Sequence, residues 1–483
     1  MQYEAVIGME VHVELATASK MFCGCRADFF GHDPNTLVCP VCMGYPGVLP
    51  VINEQAVEYA TRVGLSLGCE IAPFSKFDRK NYTYPDLPKG YQVSQYDLPI
   101  CRDGWLEVDL DGSRKRIGIR RVHMEEDTAK EFHTGDSSLI DYNRSGVPLL
   151  EIVTEPDIRS GEEARQFLTK LRTILRYLGV STADMEKGAM RCEPNVSVRP
   201  AGSAEMGVKI EIKNLNSFRV VKMAIEYEIE RQTAVIEAGG TIEQVTMGWN
   251  ERENRTVLQR SKEFAEDYRY FPEPDLPPLV LAREYVEAVR SGLPELPDAK
   301  RARFEDQYGL KPADAELLAS DAEVSDYYED CSAAAEPHGV DAQTVCNWVV
   351  GELFRLLNEA DTSIAESPVG PQALSNLLSL VKRGTINANT GKGVLMEMFR
   401  TGRDAEAIIA EKGLSQISSA GALREVAEQV IRDNPDPVSQ YLGGKDSVLG
   451  FLIGQVMRQT GGKANPHVVR ELLRERLSAQ RDE

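Results

Sequence analysis

Residues 123–157 read HMEEDTAKEFHTGDSSLIDYNRSGVPLLEIVTEPD. The run that enters this stretch, RIGIRRVHMEED (116–127), and the run that leaves it, VPLLEIVTE (147–155), both place carboxylates among strand-forming apolar residues. Successive side chains of a strand point to opposite faces, and residues i and i+2 lie roughly 6.6–6.8 Å apart on one face. His123, Glu125 and Asp127 therefore share a face, with Met124 and Glu126 opposite. In the second run Glu151 and Glu155 share a face with Val147, Leu149 and Val153. A sheet face that gathers carboxylates can hold a divalent cation and, through it, the phosphates of a nucleotide. An antiparallel sheet with one wet side produces similar alternation, so a single strand does not decide between the two.

The repetition of the pattern does. In YEAVIGMEVHVEL (3–15) Ala5, Ile7, Met9, Val11 and Val13 face one way, and Glu10, His12 and Glu14 the other. In RCEPNVSVRP, Val196 and Val198 oppose Asn195, Ser197 and Arg199. In MGVKIEIKNLNS, Val208, Ile210 and Ile212 oppose Lys209, Glu211 and Lys213. At least four strands thus carry one charged face each. Between them lie helical patterns: 53–67, with Ala56, Val57, Ala60, Val63, Gly64 and Leu67 on its inner side; SGEEARQFLTKLRTILRYLGV, with Ser160 as N-cap and Glu163 completing a capping box; and FRVVKMAIEYEIERQTAVIEAG. Prolines in DYRYFPEPDLPPL and PELPD break regular structure near residue 290. Beyond that point the text is helical, with a smaller helical unit at the end. The fold class expected is α+β: a mostly antiparallel sheet domain (1–292), a helical domain (293–405) and a small all-helical tail (406–483).

The chain has 483 residues, 42% hydrophobic and 27% charged, which is ordinary for a globular protein of several domains. The N-terminus lacks the basic and apolar regions of a signal peptide, and no apolar run is long enough to span a bilayer. A cytoplasmic protein is expected. The formal net charge of −20 argues against a nucleic-acid partner unless a basic surface is local. Such a surface is available: from Val438 to Glu483 there are seven basic and five acidic residues, whereas Pro312–Asp341 holds nine acidic and no basic ones. Lys445, Arg458, Lys463 and Arg470, near the Gly/Lys-bearing turns LGGKDS and TGGKAN, are the candidate phosphate contacts.

Four of the nine cysteines cluster. Cys23-x-Cys25 and Cys39-Pro-Val-Cys42 are two close thiol pairs separated by a short loop, the pattern of a four-thiolate zinc site. Four protein ligands leave no open position, so the zinc would be structural and would fold a segment with little core of its own. Residues 74–100, FSKFDRKNYTYPDLPKGYQVSQYDLPI, are irregular, aromatic and basic (Arg79, Lys80, Lys89), as a functional loop is. Neither a Walker A sequence nor a kinase-type glycine loop is present, so a nucleotide would be held by the sheet itself.

Taken together, KMFCGC…CPVCMGYPGVLPVIN, FDRKNYTYPDLPKGYQVSQYDLPI, RVHMEEDTAK, LIDYNRSGVPLLEIVTEPDIRS, MRCEPNVSVRP, VKIEIKNLNSFR, DYRYFPEPDLPPL and LGFLIGQVMRQTGGKANP resemble, along essentially the whole chain, the GatB family, the B component of the bacterial aspartyl/glutamyl-tRNA amidotransferase. The chain departs from that family at Thr128-Ala129, where Ala-Gly is usual. The resemblance implies a cradle-like catalytic domain, a helical domain and a tRNA-binding tail. It also implies ATP- and Mg²⁺-dependent phosphorylation of the side-chain carboxylate of Glu on mischarged tRNA(Gln), or of Asp on mischarged tRNA(Asn). Ammonia from a glutaminase (amidase) A subunit, in a heterotrimer with a small C subunit, would then displace phosphate. The same resemblance implies Glu125, Glu151 and Lys89 as catalytic, Glu10, His12, Arg79, Lys80 and Lys213 at the nucleotide, and Mg²⁺ on Glu10, His12, Glu125 and Glu151, with Glu211 for a second ion. No amidase machinery is visible, so the ammonia must come from a partner. Two competing classes are a non-catalytic zinc-containing tRNA scaffold, which leaves the acidic strand faces unused, and a free-standing amide ligase acting on a small acid.

Overall fold

The computed structural model describes residues 2–110, 112–261, 268–415 and 420–481. The chain divides into two compact units, Met1–Leu296 and Pro297–Glu483.

The first unit is built on a nine-stranded sheet. Its strands in chain order are β1 (Tyr3–Glu14), β2 (Glu70–Ile71), β3 (Cys101–Leu110), β4 (Ser113–Glu126), β5 (Pro148–Thr154), β6 (Met190–Pro200), β7 (Ile210–Lys213), β8 (Val245–Asn250) and β9 (Arg255–Ser261). Across the sheet the order is β9-β8-β7-β6-β1-β5-β4-β3-β2. Every neighbouring pair is antiparallel except β7 with β8. The register sets His12 opposite Glu151 and Arg191, and Glu151 opposite His123. Because directly opposed residues share a face, the charged faces expected strand by strand merge into one. A β-bulge where Val153 and Thr154 face Arg121 and Ile119 shifts the pairing of β4 by one residue. It lets Ile117 and Ile119 before it, and Val122 and Met124 after it, all join one buried core.

That core lies between the apolar sheet face and three helices, α1 (Glu54–Ser66), α2 (Gly161–Tyr177) and α3 (Phe218–Glu237). All six inner-side residues expected for α1 are buried, and Ser160 caps α2 by accepting from the N–H of Glu163. The capping box is only half formed. The Glu163 carboxylate accepts from the N–H of Arg159 and pairs with Lys115, because Lys115 on β4 competes for it.

In the second unit two cores form in succession. Phe304 through Ile409 make the larger, and Leu423 through Leu477 the smaller. The helix Ala405–Lys412 contributes Ala405, Ile408 and Ile409 to the larger core, so the change of core falls after Leu414, not at 405/406. In Val448–Gln459 the buried stripe is Leu449, Leu452 and Val456, and Phe451, two residues from Leu449 and so on the far side of the helix, is 48% exposed. Among the described residues no helix is long and apolar enough to cross a membrane.

Candidate active site

The wet face of the sheet forms the floor of a cleft of about 600 Å³. Glu10 and His12 reach it from β1, His123 and Glu125 from β4, Glu151 from β5, Arg191, Glu193 and Asn195 from β6, and Glu211 and Lys213 from β7. Two ligand-like sets stand side by side. In the first, His12 Nε2 lies 3.3 Å from Glu125 Oε1 and 3.6 Å from Glu151 Oε2, and His123 Nε2 lies 3.1 Å from the same Glu151 oxygen. In the second, Glu10, Glu193 and Glu211 bring three carboxylates within 4.8 Å of one another. Asn195 Nδ2 donates to Glu10 Oε1 (3.1 Å), Thr246 Oγ1 to Glu211 Oε2 (2.9 Å), and Lys213 Nζ pairs with Glu193 (3.0 Å) and Glu211 (3.5 Å).

The electrostatics follow from crowding like charges in a buried place. Burial, then Glu151, Glu193 and Glu211, push the Glu10 carboxyl above its usual range. Burial alone would depress the His12 imidazolium; hydrogen bonds to Glu125 and Glu151 outweigh it and push its pKa up to about 10. Burial opposes ionisation of Glu125 and Glu151 too, yet His12 holds Glu125 below the ordinary carboxylate range, and His123 with His12 holds Glu151 well below it. The site therefore keeps its carboxylates charged by retaining a proton on an imidazole, and a divalent cation bound there would take that proton's place. His123 Nδ1 is buried without a hydrogen-bond partner among the described residues.

Residues 74–100 and 268–270 form the opposite wall. The strand Asp78–Asn81 pairs with Tyr91–Ser94 and with Phe271–Pro272, and Gln95 ties the segment to the sheet by accepting the N–H of Met124. Tyr82, Tyr84, Tyr96, Tyr268 and Tyr270 line this side, with Tyr96 and Tyr270 stacked at 4.1 Å. Lys80 lies over the rings of Tyr82 and Tyr268. Burial works against its charge, but Glu125 raises its pKa.

Of the expected site residues, Glu10, His12, Lys80, Glu125, Glu151, Glu211 and Lys213 meet in this cleft, whereas Arg79 and Lys89 do not line it. Arg79 is next to Lys80 on a strand and so points the other way, into a bidentate pair with Glu273 (2.7 Å to each oxygen) and across Tyr91. Lys89 pairs with Glu126, the neighbour of Glu125 that faces away from the cleft. Lys89 and Glu126 line a second cavity of about 210 Å³ with Phe22, Cys42, Tyr91 and Glu273, the partner of Arg79. Sequence reading passed over the tyrosine wall, Arg191 and Glu193. The alternation that exposed Asn195 already put Arg191 and Glu193 on its face; the tyrosines carried no periodic signal.

The four clustered cysteines converge, with every Sγ within 4.8 Å of the others. The Cys39–Cys42 separation of 3.9 Å matches the ~3.8 Å edge of a tetrahedron with ~2.3 Å metal–sulfur bonds. Cys39 N–H donates to Cys42 Sγ (3.1 Å), and the buried ammonium of Lys20 stands 3.9 Å from the same sulfur. The hydrogen bond from Cys23 pulls the Cys42 thiol down to about 5, so this cluster forms thiolate readily. In the tail, Lys445, Arg458, Lys463 and Arg470 form no ion pair with a carboxylate among the described residues; Arg474 and Arg476 do, with Glu471 and Glu428. At the Thr128-Ala129 departure, Ala129 is buried and does not adopt a left-handed backbone, so nothing there demands glycine.

Comparison with known proteins gives the same extent. Residues 5–287 match the model of the GatB/GatE catalytic domain, and residues 326–477 that of the GatB domain. The chain is 54% identical over 482 residues to the GatB-type component of the aspartyl/glutamyl-tRNA(Asn/Gln) amidotransferase of Carboxydothermus hydrogenoformans, covering 99% of each chain. It is 54% identical over 479 residues to the protein of that name from Caldanaerobacter subterraneus subsp. tengcongensis (99% of this chain, 100% of the relative) and 53% identical over 487 residues to that of Dehalococcoides mccartyi (99% of each).

Proposed function

The chain belongs to the GatB/GatE family, and from that premise we propose that it amidates mischarged tRNA: Glu-tRNA(Gln), Asp-tRNA(Asn) or both. The side-chain carboxylate is first phosphorylated by ATP. Ammonia delivered by a partner glutaminase subunit then forms the C–N bond as the bond to phosphate breaks, leaving the amide on the tRNA. A carboxylate is a poor electrophile because its charge repels nucleophiles, which is why the acyl phosphate is needed. Phosphoryl transfer between anions in turn needs positive charge around the moving oxygens.

The observation that carries the reading is the pair of ligand-like sets in one cleft, flanked by fixed cations. His12, Glu125 and Glu151 would hold one Mg²⁺, and Glu10, Glu193 and Glu211 a second; the all-oxygen second set suits that ion best. Bound there, the ions would neutralise phosphate charge. Lys80, kept charged by Glu125, and Lys213, kept charged by Glu193 and Glu211, are available to the transferring oxygens and the nucleotide. The cysteine cluster would hold a structural zinc, and the tail cations that form no ion pair with a carboxylate among the described residues would meet tRNA phosphate.

The reading is tested by ATP hydrolysis in the complex with its partner subunits. ADP formation that rises with mischarged tRNA, and stops in Glu125→Ala, is expected. ADP formation indifferent to both would leave the chain a tRNA scaffold.

A further inference from the structure

A second, less polar pocket of about 250 Å³ adjoins the cleft, and the two share Glu10, Asn195 and Lys209 in their linings. It lies on the same sheet face. Along β1 that face runs from His12 and Glu10 to Gly8 and Val6, and along β6 from Glu193 to Asn195 and Ser197, which pair with Gly8 and Val6. The face thus passes within a few residues from carboxylates to a bare, apolar shelf. Val153 and Pro156 border the shelf on one side, and Met206 and Gly207 on the other.

Gly8 is the informative residue. It sits in the interior of a central strand, where glycine is unfavourable in entropy and packing. Its backbone is not left-handed, and a Cβ there would meet nothing closer than Pro156 Cα at 4.0 Å. Neither conformation nor crowding requires a glycine, so what its absent side chain provides is space over the sheet. Met206, across the pocket, is 60% exposed, an adaptable apolar wall left uncovered. Lys209, exposed and without an ion pair among the described residues, stands where the two cavities meet.

A polyanion zone joined to a flat apolar shelf, with a cation at the junction, has the shape and polarity of a nucleoside triphosphate. We infer that the shelf over Gly8, closed by Met206, receives the nucleobase of the nucleotide whose phosphates lie at the carboxylate sets. The inference rests on the nucleotide reading above and adds the place and character of base recognition: apolar sandwiching by Val6, Pro156 and Met206, with Lys209 toward the phosphates.

The test measures binding of Mg·ATP and of Mg·tripolyphosphate to the full chain by calorimetry. Tripolyphosphate carries the charge of the nucleotide tail without a base. Gly8→Val, which fills the shelf, is expected to weaken ATP roughly tenfold or more, on the scale of hydrophobic-pocket discrimination. Met206→Ala is expected to weaken it severalfold. Both should leave tripolyphosphate unchanged, while Glu125→Ala should weaken both ligands. Thermal melts report whether Gly8→Val is folded; if it is not, Met206→Ala, at an exposed loop position, decides alone. Wild-type ATP affinity in the folded variants, or equal losses for both ligands, would overturn the base assignment. Failure of the wild-type chain to bind either ligand would instead overturn the nucleotide reading beneath it.

Discussion

Glu151 is shared by two histidines, with His12 and His123 reaching the same oxygen from strands on either side. Replacing it by Ala removes an anion from one ligand set and leaves both imidazoles facing each other across a gap. Ammonia-dependent amidation is expected to fall by more than the roughly 10–100-fold typical of changes behind a metal's ligands; glutamine hydrolysis by the partner should fall less. Near-wild-type amidation in a single-turnover assay would remove Glu151 from the chemistry. Lys80 and Lys89 make a sharper comparison, since the loop sequence presents them as equivalent and the fold separates them. Lys80→Met is expected to weaken Mg·ATP binding about tenfold, the loss of one charge-assisted contact, while Lys89→Met should change it less than about twofold. Equal effects would mean that the two cavities act as one.

That comparison also shows what was legible. Alternation along β1, β4, β6 and β7 reports which face a residue takes, and each residue assigned to the polar face by alternation in these strands lies there. The short runs Asp78–Asn81 and Tyr91–Ser94 instead owe their pairing to Phe271–Pro272, nearly two hundred residues away. Such a partner leaves no periodic mark, so Arg79, Lys80 and Lys89 read alike as loop cations. At the element scale two predictions follow from local chemistry. The knuckle's thiols converge with almost no apolar core around them, so one zinc per chain is expected by elemental analysis. Cys39→Ser should release the metal and lower the melting temperature; metal-washed protein with four freely titratable thiols and no zinc would refute this. Ser217 caps α3 by accepting the N–H of Val220. Ser217→Ala should cost about 1 kcal/mol in urea unfolding, and Ser217→Asp should restore it.

At the scale of the whole molecule, the net charge of −20 makes any RNA contact depend on a few local cations. The smaller helical core begins at Leu423 and includes Ala427, Val430 and Ile431. A truncation at Asp433 would therefore cut through it, and the clean deletion ends at Leu414. Removing Lys445, Arg458, Lys463 and Arg470 together as Gln substitutions keeps that core. It should flatten the slope of log affinity against log salt by about 3 to 4 if each meets one phosphate. An unchanged slope in filter binding of the cognate tRNA would show that the tail does not touch RNA.

The bulge in β4 also bears on how the chain can change in length. Ile119 and Arg121 pair with successive residues of β5, and Arg120 is the one left over. Losing that residue restores a regular ladder with His123 and Glu125 still in the cleft and Val122 and Met124 still in the core. β1 has no such reserve, since its pairing with β5 and β6 is unbroken. Deleting Met9 forces either Val6 and Gly8 or Glu10 and His12 to change sides. The two strands that build one site thus differ in what insertions and deletions they can absorb: one has a residue to spare, the other none.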